Sequence, residues 1–249
     1  MAEGEEPGAS DRSRSGSART TDAPEDAPPP RPYPYRAVTL QYELLYGASP
    51  MRLGTVTQSL RIEGNQYAIE QIGEGSGLVG ALYERAIGGQ LVNRSAGTLS
   101  AAGFVPGEFF AQRGRRDRRD HADFDWAHGV LTLDTAGGSR ALRLVDGTQD
   151  LVSMLHQLYF MGPLPARGRM LATNGRTLSE YAFQRVAEEM TETPLGACMT
   201  VHLVRTDSGG DRAELWLDEG HALLPARIVF EDRDGLRLQF VLIRRTLKG

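Results

Sequence analysis

Lysine is almost missing from this chain: of its 28 basic side chains, all but the penultimate Lys248 are arginine. A phosphate-binding loop needs a lysine after its glycines, and Schiff-base chemistry needs a buried amine; neither can be built round the chain end. Cysteine is as scarce. The single Cys198 excludes an internal disulfide, so cysteine pairing says nothing of the redox compartment. No apolar run is long enough to cross a bilayer as a helix, and residues 1–36 contain no Val, Ile, Leu, Phe or Trp. No secretory h-region is therefore visible, and these residues alone do not choose between export and the cytosol. A dominant charge is lacking too. A formal net charge of −4 over 249 residues exerts little long-range pull on nucleic acid or anionic membrane. No nucleic acid and no nucleotide is expected as a partner.

What is present falls into two parts. Residues 1–36 are mostly Pro, Ser, Gly, Ala and charged side chains, which cannot bury enough apolar surface to offset the entropy of ordering; a disordered tail or linker is expected. Its end, from Ala27 to Pro34, favours an extended polyproline II spacer. Period-two alternation starts at Ala37, where Val38, Leu40, Tyr42 and Leu44 share one face. It continues to the C-terminus, punctuated by turn signals at Gly64-Asn65, Asn174-Gly175, Ser208-Gly209-Gly210 and Asp234-Gly235. Many short strands joined by tight turns predict an all-β domain over 37–249, an antiparallel curved sheet or half-barrel. One segment breaks the rhythm. At about 150–161, Leu151, Met154, Leu155 and Leu158 recur at helical spacing and Tyr159 widens the stripe. Thr148 stands at the N-cap position, Asp150 suits the positive helix start, and Gly162-Pro163 ends the helix. This amphipathic helix should pack on the concave face of the sheet.

Few motifs carry chemistry. Gly75, Gly77 and Gly80 match the dinucleotide fingerprint by letter, but no acid follows about 20 residues on and the neighbouring strands read as antiparallel. The run Arg113, Arg115, Arg116, Arg118 and Arg119 could grip an anion or a partner protein through bidentate pairing; an ordinary solvated hairpin tip explains it as well. Asp120, His121, Asp123, Asp125 and His128 offer mixed His/carboxylate metal-ligand chemistry, and a half-wet strand accounts for them equally. The five histidines lack zinc-protease spacing, and no nucleophile elbow occurs. His202 should lie opposite the Met199/Val201/Leu203 face, at an edge or in solvent. Asp218-Glu219 reads as turn chemistry before Pro225. No catalytic residue, metal site or cofactor is predicted.

Six segments carry a resemblance: Leu40-Gln41-Tyr42-Glu43-Leu44, Gly103-Phe104-Val105-Pro106, Phe124-Asp125-Trp126, the run from Gln149 to Leu155, Glu214-Leu215-Trp216-Leu217, and Leu224-Pro225-Ala226-Arg227-Ile228. In these the chain resembles the exported proteobacterial family known as domain of unknown function 3108. The resemblance implies a periplasmic or cell-envelope protein and implies no catalytic residues. In outline the expected architecture is similar to the half-barrels of periplasmic lipoprotein carriers, an analogy of fold alone. The favoured expectation is a non-enzymatic module enclosing a lipidic or hydrophobic molecule against Leu151, Met154, Leu155, Leu158 and Tyr159. A module engaging an envelope protein through the arginine tip is the alternative, and a metal-dependent hydrolase around His121, Asp123 and His128 is the third reading.

Overall fold

The computed structural model describes residues 31–47, 49–75, 91–114, 119–207, 211–231, 233 and 235–249. The expected alternation becomes strands almost throughout. The first eight form a meander: β1 (Ala37–Tyr46), β2 (Met51–Glu63), β3 (Gln66–Gly75), β4 (Leu91–Ser100), β5 (Gly103–Arg113), β6 (Arg119–Asp125), β7 (Val130–Thr135) and β8 (Gly138–Arg143). A short β9 (Gln149–Asp150) leads into helix α1 (Ser153–Gln157) and a 3-10 turn (Leu158–Met161). The second meander is β10 (Arg167–Thr173), β11 (Leu178–Thr193), β12 (Gly196–Arg205), β13 (Arg212–Asp218), β14 (Leu224–Glu231) and β15 (Arg237–Lys248).

These strands form one open sheet in the order β8-β7-β6-β5-β4-β3-β2-β1-β15-β14-β13-β12-β11-β10-β9. All neighbours are antiparallel except β9 and β10, where Gln149 lies beside Ala172. The ends of the domain thus meet mid-sheet: β1 pairs with both β2 and β15, with Val38 opposite Leu60 and Leu247. Val38, Leu40, Leu60, Ile69, Phe109, Ala122 and Leu133 point inward and are fully or nearly fully buried. A bulge lets β5 carry Pro106: the register slips between Ala96 and Gly97. Gly97 tolerates the close approach because a Cβ there would lie 2.2 Å from the Val105 carbonyl oxygen.

The sheet rolls until its β9–β10 edge meets β4, β5 and β6 of the first meander through side chains. Gln149 Nε2 donates to the Phe104 carbonyl at 2.8 Å, Ser95 Oγ to Asp150 at 2.5 Å, and Arg176 Nε to Asp120 at 2.7 Å. The helix lies inside this roll, as expected. Its extent and cap differ from the sequence reading. Only five residues are α-helical, with a four-residue 3-10 turn appended. The capping side chain is Asp150, whose Oδ1 accepts from the Val152 and Ser153 amides at 2.9 Å, while Ser153 Oγ accepts from the Asp150 amide at 3.0 Å. Thr148 instead donates to the Val145 carbonyl at 2.6 Å. Asp150 caps because the helix starts at Ser153, which leaves Thr148 too far back in the chain, and its second oxygen accepts from Ser95.

Residues 1–30 of the expected tail, Gly77 and Gly80 of the glycine motif, and Ser208-Gly209-Gly210 lie outside the described residues. Residues 31–36 are placed against the domain rather than free of it. Tyr33 packs edge-on to Phe104 at 5.4 Å and stacks on Phe160 at 6.0 Å, and its hydroxyl lies 2.8 Å from His156 Nδ1. The aromatic content of Pro32-Tyr33-Pro34-Tyr35, rather than its proline, decides where this stretch goes.

Candidate functional site

The segments that carry the resemblance prove to be contact partners. Gln149 and Gln157 clasp the start of β5: Gln149 takes the Phe104 carbonyl, and Gln157 Oε1 accepts from the Phe104 amide at 2.8 Å. Gly103 must be glycine here, with φ +116° and a would-be Cβ 2.1 Å from Gln157 Oε1. Trp126 Nε1 donates to the Pro106 carbonyl at 2.6 Å, and the Tyr42 hydroxyl to the Pro225 carbonyl at 3.0 Å. On adjacent strands, the Arg227 guanidinium sits 4.9 Å over the Trp216 ring. These residues lock the helix and the strands into one roll.

That locking leaves a cavity of about 550 Å³ between helix and sheet. From the helix side it is lined by Leu151, Met154, Leu155 and Leu158. From the second meander come Phe183, Leu203, Leu215, Ile228, Phe230 and Phe240, and Phe230 meets Phe240 edge-to-face at 5.9 Å. Polar groups are few. Gln58, Gln71 and Asn93 form a row across β2, β3 and β4, with Gln58 opposite Gln71 and Gln71 opposite Asn93. Asn93 Nδ2 donates to Gln71 Oε1 at 2.9 Å. Arg205, Asp211 and Glu231 also line the space, close to the half-exposed Phe230 and Leu236. The Arg205 guanidinium is held by both oxygens of Asp207 at 2.5 and 2.6 Å. Among the described residues, no Ser, Thr, Cys or His lines this cavity.

Four of the five helix residues expected at a ligand site therefore face one space. The fifth does not. Tyr159 turns away with the 3-10 geometry, its hydroxyl donating to the Pro32 carbonyl at 3.2 Å and its ring against Tyr33 and Phe160. The sheet half of the wall escaped the sequence reading. Alternation predicts that Leu215, Ile228 and Phe240 point inward, but only the strand register sets them side by side.

Two buried ionisable groups sit behind the helix. Burial pushes the Asp150 carboxyl upward, against the downward pull of the Ser95 hydroxyl and the Ser153 and Val152 amides. Burial drives the His156 imidazole down to about 4, so it is neutral at physiological pH.

The other candidates do not converge. Arg113 ends β5 and the exposed Arg119 opens β6, while Arg115, Arg116 and Arg118 lie outside the described residues. His121 approaches Glu108 at 3.9 Å, His128 Nδ1 pairs with Asp125 at 2.7 Å, and Asp123 stands between Glu108 and Thr132. Among the described residues, no three His, Cys, Asp or Glu side chains are grouped to hold a metal ion. His202 does lie opposite the Leu203 face, yet it is largely covered rather than exposed. It stacks on Trp216 at 4.2 Å, between Glu189 at 3.2 Å and Glu214 at 3.0 Å. Asp218 is likewise more than a turn residue, being buried and bonded to Arg245 at 2.6 Å and His221 at 2.9 Å.

An open antiparallel sheet rolled round a helical plug, with an apolar space inside, defines a β-barrel-like class of protein. The β-barrel-like protein of domain of unknown function DUF1849 from Brucella abortus shares it, with a TM-score of 0.56 at 10% identity over 86% of this chain and 99% of that one. A candidate lipoprotein from Parabacteroides distasonis aligns over 89% of this chain and 100% of its own at 9% identity, with a TM-score of 0.37. A candidate outer membrane lipoprotein-sorting protein domain from Vibrio parahaemolyticus aligns over 86% of each chain at 10% identity, with a TM-score of 0.25. No protein of curated function matches the sequence. The profile of the family described as protein of unknown function DUF3108 matches residues 41–241. The chain belongs to that family.

Proposed function

We propose that this protein is a non-enzymatic module of the cell envelope that holds a hydrophobic or lipidic molecule between its sheet and its helix. The observation that carries this reading is the cavity itself. A well-packed interior leaves few voids larger than a water molecule, whereas this one measures about 550 Å³ and is walled by leucine, methionine and phenylalanine. Sites for small molecules have volumes of roughly 300–1,000 Å³, mostly apolar with a few placed polar groups. Each methylene transferred from water into such a space contributes about 0.8 kcal/mol, so a single acyl chain would be held firmly without any ionic contact. The envelope setting is what the family resemblance implies.

The test is native mass spectrometry of protein purified without detergent, beside a Leu155→Arg variant. The wild type should carry an additional mass that organic extraction removes and identifies as lipid, and the variant should lose it while keeping its circular dichroism spectrum. Wild-type protein that stays free of adducts after incubation with a total lipid extract would defeat the proposal.

A further inference from the structure

Within the apolar cavity one polar side chain is left over. Gln58 is 2% exposed and contributes to the cavity wall, and its Nε2 has no hydrogen-bond partner among the described residues. Its surroundings explain why. On one side stands Leu40, which offers only hydrocarbon. On the other stands Gln71, whose Oε1 accepts from Asn93 and not from Gln58. A buried amide left unpaired costs about 1–3 kcal/mol, and a leucine of nearly the same shape would avoid that cost. An amide kept unpaired on the wall of an otherwise greasy space points to a partner that arrives with the ligand.

The chemistry of that partner follows from the charges nearby. The arginine on the cavity wall, Arg205, is already committed to Asp207 through two bonds, and Asp211 and Glu231 add negative charge. An anionic group taken to the depth of Gln58 would be desolvated without a free cation among the described residues of the wall, which is strongly unfavourable. A neutral carbonyl needs no counterion and accepts from an amide.

Resting on the carriage reading above, we infer that Gln58 recognises the uncharged carbonyl of an acyl ester, so that the cavity selects esterified acyl chains over both free fatty acids and plain hydrocarbon. The chain lies against Leu155, Leu203 and Phe240, and the ester carbonyl meets the amide row of β2–β4.

The experiment is displacement of the fluorescent probe N-phenyl-1-naphthylamine from the full chain by dodecane, methyl laurate and laurate at pH 8. Wild-type protein should release the probe at a methyl laurate concentration about tenfold below that needed for dodecane, the factor expected of one hydrogen bond to a buried amide, with laurate weakest. Gln58→Leu, and Gln58→Met as a second variant of similar volume, should bring ester and alkane to within about twofold of each other. An ester preference that survives both variants, or laurate as the tightest competitor, would overturn the inference and leave carriage standing. A probe that neither binds nor is displaced would overturn carriage, and this inference with it.

Discussion

Replacing Gly103 with alanine probes the clasp that holds the helix in the roll, and its cost can be apportioned in advance. A methyl group at that position would lie 2.1 Å from Gln157 Oε1. The glutamine cannot yield freely, because Oε1 holds the Phe104 amide at 2.8 Å and Nε2 holds the Ala102 carbonyl at 2.9 Å. Displacing it forfeits two hydrogen bonds, about 2 kcal/mol together. The backbone adds its own cost, since φ is +116° and a side chain there is strained by about 1–3 kcal/mol. Gly103→Ala alone should therefore destabilise by about 3–5 kcal/mol, and Gln157→Ala alone by about 2 kcal/mol. With alanine already at 157 the clash vanishes and only the backbone share remains, so the double variant should be about 2 kcal/mol more stable than the sum of the single effects predicts. Urea unfolding followed by tryptophan fluorescence measures this, and Trp126, bonded to the Pro106 carbonyl in the same strand, reports the region directly. Additive effects, within about 0.5 kcal/mol, would refute the claim that Gly103 is fixed by the glutamine.

Two further outcomes test the buried ionisable groups. His156 is held neutral in the fold, near 4 against an ordinary 6.5, so the unfolded chain takes up the proton first. Its contribution is complete above about pH 6.5 and is lost as pH falls toward 4, by on the order of 3 kcal/mol. The stability difference between wild type and His156→Gln should shrink over that range in urea titrations, a comparison in which the opposite trend of Asp150 cancels; a difference constant with pH would contradict it. Asp218→Asn removes the charge that holds Arg245 and His221 and should cost about 3 kcal/mol. Its urea midpoint against that of wild type checks this, and an unchanged midpoint would show that solvent already satisfies Arg245.

Much of this architecture was legible in the residues. Alternation at Val38, Leu40 and Tyr42 identified a strand because one buried face imposes period two whatever the partner strand. Asn174-Gly175 located a hairpin because few residues accept the left-handed backbone of a tight turn. The stripe Leu151, Met154, Leu155, Leu158 marked the helix and one wall of the cavity. Tyr159 belonged to the same stripe and went elsewhere, because the helix tightens to 3-10 geometry after Gln157 and the following side chains rotate off the α-helical phase. Tyr33 was read as part of a free spacer because its pocket, formed by Phe104, His156 and Phe160, is assembled from segments far away in the chain. The burial of His202 and Asp218 escapes the sequence for the same reason: a polar side chain carries no local mark of the partners that will cover it.

Local chemistry, then, determined the period of the backbone, the turns between strands and the apolar stripe of the plug, since each depends on residues within a few positions of one another. Tertiary structure alone decided that the sheet rolls without closing, that about 550 Å³ remains between it and the helix, and that the Gln58 Nε2 stands there without a partner among the described residues. Those properties come from strand register and from packing volumes summed over residues as distant in sequence as Gln58 and Phe240, and no short window of sequence contains that sum.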